Sequence, residues 1–94
     1  PRAVLAASDQ IAIGMLAAFG ERGIRVPDDI AIVSFDGTVV ADFVWPRLTT
    51  AVQPLEQMAD AAVRLLLEPD AVRDHRAFRT RLRIRESCGC TASA

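Results

Sequence analysis

Ninety-four residues, 51% of them hydrophobic, supply core material for one small domain or for part of a larger one. Eleven basic and twelve acidic residues leave a net charge of −1, which gives no electrostatic footprint for nucleic acid or an anionic membrane. No apolar run spans a bilayer, the first residues resemble neither a start nor a signal peptide, and two cysteines make no disulfide framework. The chain is therefore expected to begin inside a larger protein.

Ala3-Val4-Leu5-Ala6-Ala7 reads as a short buried strand. It ends at Ser8-Asp9, either of which suits the cap of the helix that follows. That helix is expected over residues 10–22, with Gly23 as its stop. From Ile11 to Gly20 it carries no charge. Ile11, Met15 and Phe19 fall on about one side, while Ile13, Leu16, Ala17 and Gly20 spread over the rest. A surface helix keeps a polar face. This one needs two covers: its own sheet and a second body, expected to be a partner subunit.

Val26-Pro27-Asp28-Asp29 marks a turn. Residues 30–35 then form a nearly unbroken, β-branched run, the pattern of a strand buried on both faces in a parallel sheet. Strand, helix and strand make a βαβ unit with parallel strands and a right-handed crossover. The second strand ends on Asp36-Gly37, at the edge where open α/β sheets bind ligands. An ionised carboxylate accepts hydrogen bonds, so it suits ligand hydroxyls or N–H groups. Asp36-Gly37 is equally a plain turn signal. Ser8 and Asp36 could face one crevice, with Ser8 also serving as a cap.

Residues 38–47 form a connection of odd composition. Val39, Val40, Ala41, Phe43, Val44 and Trp45 are apolar and only Asp42 is charged, which marks a contact site if the loop lies on the surface. Trp45-Pro46 folding back on its own core is the alternative. Leu48-Thr49-Thr50-Ala51-Val52 is β-prone and leads to Gln53-Pro54, with Pro54 in the first turn of a second helix. Leu55, Met58, Ala59, Ala62, Val63 and Leu66 follow helical spacing and are expected against a sheet. Glu56, Gln57, Asp60 and Arg64 fill the other face, with Asp60 and Arg64 as an i,i+4 pair. Pro69 ends the helix.

Residues 70–77 read as a polar loop. His75 stands there alone, so no metal role is expected. In residues 78–85, Phe78, Thr80, Leu82 and Ile84 alternate with Arg79, Arg81, Arg83 and Arg85. That is a strand with one solvated face, and the arginines read as a charged edge that resists aggregation. Cys88-Gly89-Cys90 lies in a small-residue tail with neither zinc-knuckle nor thioredoxin spacing, and no role is assigned to it. There is no nucleophile elbow, no Gly-rich phosphate loop, and no His near a Ser or Cys. Nothing fixes Asp9, Asp28, Asp29 and Asp36 as paired carboxylates. The chain is not read as an enzyme, and no cofactor or metal is expected.

Taken together, these segments resemble the C-terminal third of the lactose-repressor and galactose-repressor family of bacterial transcription regulators. The matching pieces are Ala6-Ala7-Ser8-Asp9-Gln10-Ile11-Ala12-Ile13-Gly14, then the run from Gly23 through Val26-Pro27-Asp28-Asp29 to Phe35-Asp36. Pro46-Arg47-Leu48-Thr49-Thr50-Ala51-Val52-Gln53-Pro54 and Arg85-Glu86-Ser87 complete the set, in order and at family spacing.

The resemblance implies an α/β, periplasmic-binding-protein-like effector domain of two lobes joined by crossovers. Residues 1–51 would belong to the C-terminal lobe, and 52–77 to a crossover and a helix packing on the N-terminal lobe. Residues 78–94 would be a return strand and tail. It implies ligand contacts at Ser8 (the family usually has Asn there), Asp36, Gln53 and Leu55, where some members place an aromatic. The family often doubles the acid after Phe-Asp; here Gly37 follows. The resemblance also implies a homodimer through the first helix and the loop after Phe-Asp, at Ile13, Ala17, Val40, Phe43 and Val44. Its effector would be a small polar molecule such as a sugar. DNA would be bound only through an absent N-terminal domain, in the cytoplasm and without a membrane. The rival reading is a periplasmic sugar-binding protein serving a transporter.

Overall fold

A computed structural model describes residues 1–68, 70 and 76–90. Strand β1 (Ala3–Leu5) leads to helix α1 (Asp9–Glu21), strand β2 (Ala31–Asp36), a 3-10 turn (Val39–Asp42) and strand β3 (Thr49–Val52). Helix α2 (Leu55–Leu67), strand β4 (Arg81–Arg83) and a second 3-10 turn (Glu86–Cys88) follow. One sheet runs in the order β1-β2-β3-β4. The first three strands are parallel and β4 is antiparallel to β3. The fold is thus the mixed α/β, mostly parallel sheet expected.

Side chains alternate across a strand, so the register sorts the sheet into two faces. Val4, Ile32, Ser34, Thr50 and Arg83 share one; Leu5, Val33, Phe35, Ala51 and Leu82 share the other. The first face is covered. Ala6, Ala12, Ile32, Ala41 and Leu48 form its buried core, flanked by Met15, Leu16, Phe19 and Val26. The second face is largely open, with Leu5 76%, Phe35 38% and Leu82 57% exposed. The expectations that β1 is buried and that β2 is buried on both faces are therefore corrected. β1 stands at the sheet edge, and α1 with its following loops supplies a layer on one side only.

β4 corrects a second expectation. The strand covers only Arg81–Arg83; Arg81 is exposed, while Arg83 and, beyond the strand, Arg85 are half-buried. Arg83 Nη1 lies 3.5 Å and Arg85 Nε 3.3 Å from the Asp42 carboxylate, while Leu82 and Ile84 stand exposed. The charges follow Asp42, which sits under them on the Val39–Asp42 turn.

Helix α2 is amphipathic as expected, and Asp60 pairs with Arg64 at 3.0 Å. Its apolar stripe, however, packs on no sheet. Leu55, Val63 and Leu66 are at least half exposed, and only Ala61 is buried. The helix stands away from the sheet, which draws the molecule out to 56 × 28 × 24 Å. The radius of gyration is 16.8 Å, against about 12 Å for a compact chain of this length. Pro69 and His75 lie outside the described residues.

The Glu86–Cys88 turn is no loose tail. Ser87 is fully buried; its hydroxyl donates to the Ile32 carbonyl at 2.7 Å and accepts from Thr49 N–H at 2.8 Å. That side chain joins β2 to β3 just ahead of the first rung of their ladder, Val33 opposite Thr49. Arg47 holds the same turn through a two-bond fork to Glu86, at 2.7 and 2.8 Å.

Candidate functional site at the carboxyl edge of the sheet

Because β1, β2 and β3 are parallel, their carboxyl ends share one edge. Ser8 follows β1, Asp36 ends β2 and Gln53 follows β3. Gln53 Nε2 donates to Asp36 Oδ1 at 2.8 Å, and Gln53 N–H donates to the Asp36 carbonyl at 3.1 Å. The side-chain amide is therefore a built partner of the carboxylate. Among the described residues Asp36 Oδ2 carries no hydrogen bond.

Asp36 has φ +136°, the one non-glycine residue with positive φ among those described. Such a conformation costs about 1–3 kcal/mol and persists only where the surroundings impose it. Here Gly37 imposes it. Gly37 adopts φ +77°, and a Cβ there would stand 2.7 Å from the Val52 backbone. Its N–H donates to Thr50 Oγ1 at 3.2 Å. The chain leaves β2 by grazing β3, and only glycine fits. The strained aspartate follows from that close approach.

Asp9, which the sequence offered as a possible cap, does something else. Ser8 is the cap: its side chain accepts from Ile11 N–H at 3.2 Å. Asp9 is fully buried beneath the edge. Its Oδ1 accepts from Ser34 Oγ at 2.7 Å and Thr50 Oγ1 at 2.8 Å. Its Oδ2 accepts from Thr38 N–H and Thr38 Oγ1, both at 2.7 Å. Burial alone would push this carboxyl up. The donors of Ser34, Thr38 and Thr50 outweigh it and hold the group below its ordinary value. As the first residue of α1, the charge also lies at the favourable end of the helix dipole. Asp9 thereby ties α1, β2, β3 and the loop behind Asp36 to one point. The signal for it lay in Ser34 and Thr50, hydroxyls inside apolar strands that need a buried partner.

Ser8 is on the same edge but makes no hydrogen bond to Asp36 or Gln53. With its oxygen engaged by the cap, it offers a donor. Leu55 begins α2 and is 60% exposed. Gln53 also lines a groove of about 560 Å³ between the start of α2, with Gln57, and the returning segment, with Phe78 and Arg81. Asp36, Ser8 and Leu55 do not line that groove. The edge thus carries a carboxylate oxygen, an amide and a hydroxyl, groups that both accept and donate hydrogen bonds. No group of three or more His, Cys, Asp or Glu side chains able to hold a metal occurs among the described residues.

The five expected interface residues divide. Ala17 is exposed, as are Val40 at 47% and Phe43 at 82%. Ile13 and Val44 pack, partly buried, against the chain's own core. Trp45 is 77% exposed, so it does not fold back on that core. Val39, Val40, Phe43 and Trp45 make this loop an apolar surface, as its composition suggested.

A mostly parallel open sheet, with one face covered and polar groups at its carboxyl edge, places the chain among open α/β folds. The chain belongs to the periplasmic binding protein-like domain family, whose pattern matches residues 1–88. The HTH-type transcriptional repressor MelR of Bacillus subtilis is 44% identical over 95 residues, covering 98% of this chain and 28% of the repressor. A LacI family transcriptional regulator from Lactobacillus casei, solved with bound sucrose, superposes with a TM-score of 0.79. It is 35% identical over 93% of this chain and 33% of its own. A LacI family regulator from Arthrobacter sp. FB24, in complex with lactose, gives a TM-score of 0.80. It is 32% identical over 92% of this chain and 35% of its own. The chain thus spans about a third of the relatives it matches. Those relatives are transcription regulators. Among the described residues no helix is long and apolar enough to cross a membrane.

Proposed function

We propose that this chain is the C-terminal part of the effector-sensing domain of a bacterial transcription regulator, and that its carboxyl edge is one wall of the effector cleft. The effector is a sugar or a similar polyhydroxylated molecule. Asp36 accepts hydrogen bonds from its hydroxyls, Gln53 orients Asp36 and reaches the same ligand, and Ser8 donates a further bond. Leu55 supplies an apolar contact. The observation that carries this reading is the Asp36–Gln53 pair, held in a strained conformation at the edge shared by three parallel strands. The Gln53 amide fixes one oxygen of Asp36 and leaves the other to accept from a ligand, which supports a preorganised binding group.

In the same reading, residues 1–51 form the C-terminal lobe and 52–77 cross to and pack in the N-terminal lobe. Residues 78–94 return. The uncovered stripe of α2 supports this arrangement, since it needs a partner layer that the described residues do not supply. Two copies pair through Ala17, Val40 and Phe43, with Ile13 and Val44 behind them. DNA is contacted only by a separate N-terminal domain, in the cytoplasm, and lobe closure passes the effector signal to it. The bound sucrose and lactose of the two solved relatives favour a sugar. The names of the relatives favour a regulator over a transporter's binding protein.

Calorimetric titration of the parent protein with mono- and disaccharides tests the proposal. Saturable sugar binding that changes affinity for an operator is the expected result. Sugar binding with no DNA affinity in any state would return the transporter reading.

A further inference from the structure

We infer that Cys88 and Cys90 form a dithiol site that reacts with small-molecule disulfides, Cys88 attacking and Cys90 resolving. Both cysteines are free. The Glu86–Cys88 turn that carries Cys88 is pinned by the buried Ser87 and by the Arg47–Glu86 fork. Cys88 is therefore fixed and half-buried, while Cys90 is exposed. Gly89, at φ +73°, folds the chain back between them. As a result Cys90 N–H donates to Cys88 Sγ at 3.3 Å, and Cys90 Sγ comes 3.8 Å from the Cys88 carbonyl.

A second donor aims at the same sulfur. Thr49 Oγ1 lies 3.0 Å from Cys88 Sγ and 3.0 Å from the Arg85 carbonyl, while Arg85 N–H donates to that hydroxyl at 2.8 Å. The Thr49 proton thus has two acceptors. When Cys88 is a thiol the proton rests on the carbonyl; when Cys88 ionises it turns to the sulfur. Burial would raise Cys88, but the Cys90 thiol, Thr49 and the Cys90 N–H outweigh it and lower it. Cys90, facing Cys88, is pushed up. The first proton lost therefore leaves Cys88, the order a dithiol needs for one thiol to attack and the other to resolve. Among the described residues no third ligand joins the two sulfurs, which fall short of a zinc set.

The Cys88 thiolate attacks one sulfur of R–S–S–R, bonds to it and expels the first thiolate. Cys90 then loses its proton, attacks the Cys88 sulfur, expels the second thiolate and closes the Cys88–Cys90 disulfide. The protein gives up two electrons and two protons; the small disulfide becomes two thiols.

Oxidised glutathione added to the intact protein, followed by mass spectrometry and peptide mapping, tests this. The wild type should lose two hydrogens across Cys88 and Cys90, release two glutathiones and keep no adduct. Cys90→Ser should stop at one glutathione on Cys88. Cys88→Ser should take glutathione on Cys90 several-fold more slowly near neutral pH, since Cys90 has neither the Thr49 hydroxyl nor the backbone N–H that favour the Cys88 thiolate. The rate for Cys90→Ser should level off at a lower pH than that for Cys88→Ser. A lasting adduct on Cys90 in the wild type, or equal rates for the two variants, would overturn the assignment.

Discussion

Asp9 Oδ2 and the backbone N–H of Thr38 are 2.7 Å apart, a hydrogen bond that binds the first turn of α1 to the loop two residues beyond Asp36. The same carboxylate receives three hydroxyls. Asp9→Asn keeps the shape but has one accepting oxygen, and its NH2 would face donors. We expect a loss of about 3 kcal/mol, from at least one buried donor left unpaired. Urea denaturation of the intact protein, followed by circular dichroism, measures it. An unchanged midpoint would refute the clasp.

The depressed Asp9 carboxyl also sets a pH dependence. Its folded value lies below its unfolded one, so its contribution is fully present above the ordinary carboxylate range. That contribution is lost as pH falls from about 4 through the folded value. Wild-type stability should decline on that limb. In Asp9→Asn the same limb should be shallower; equal slopes would mean that Asp9 does not drive it.

Asp36→Ala in the parent protein should weaken effector binding by about 1–3 kcal/mol through loss of charged hydrogen bonds. Asp36→Asn should recover part of this, because one accepting oxygen remains. Calorimetry on folded variants decides. If Asp36→Ala binds as tightly as wild type, the residue serves only the turn. The 94-residue piece alone should bind poorly, since a working pocket buries most of its ligand.

Gly37→Ala places a Cβ 2.7 Å from the Val52 backbone, at a φ that L residues avoid. β2 and β3 must separate there. The expected outcome is a destabilisation of about 2 kcal/mol or more together with weaker effector binding, because Asp36 moves with Gly37. Retained stability and retained affinity in the same variant would contradict the close approach.

The proposed pairing of two copies is best tested at Phe43. Ile13 packs partly against its own core, so Ile13→Lys risks unfolding the lobe along with any interface. Phe43 is 82% exposed, and Phe43→Lys removes only surface. A charge in the centre of a two-fold patch meets its own copy. We expect a folded monomer on sedimentation, with weakened DNA binding because two half-sites are no longer held together. A dimer of native mass would move the interface elsewhere.

Much of this was legible in the residues. The unbroken run 30–35, the glycine at position 23 and the spacing of Leu55, Met58 and Ala62 gave β2, the end of α1 and the amphipathic α2. Asp36 stood out at the end of its strand and Gln53 only through the family resemblance; their mutual bond was not legible, because it depends on β2–β3 register. Asp9 was hidden by its neighbour: either residue could cap, and only the folded chain shows Ser8 taking that place. The half-buried Arg83 and Arg85 were not expected for a related reason. Alternation shows that a strand has two faces, but it does not say which one meets Asp42.

Ser87 closes the sheet from outside it. Its hydroxyl satisfies the Ile32 carbonyl and the Thr49 N–H, which would otherwise face each other's strand without a rung. Those groups come early in the chain and Ser87 comes late. During synthesis β2 and β3 therefore leave the ribosome with this end of their ladder unlatched. It stays so until α2 and β4 have also emerged, and a pause in translation across that interval prolongs the exposure of an unfinished strand pair.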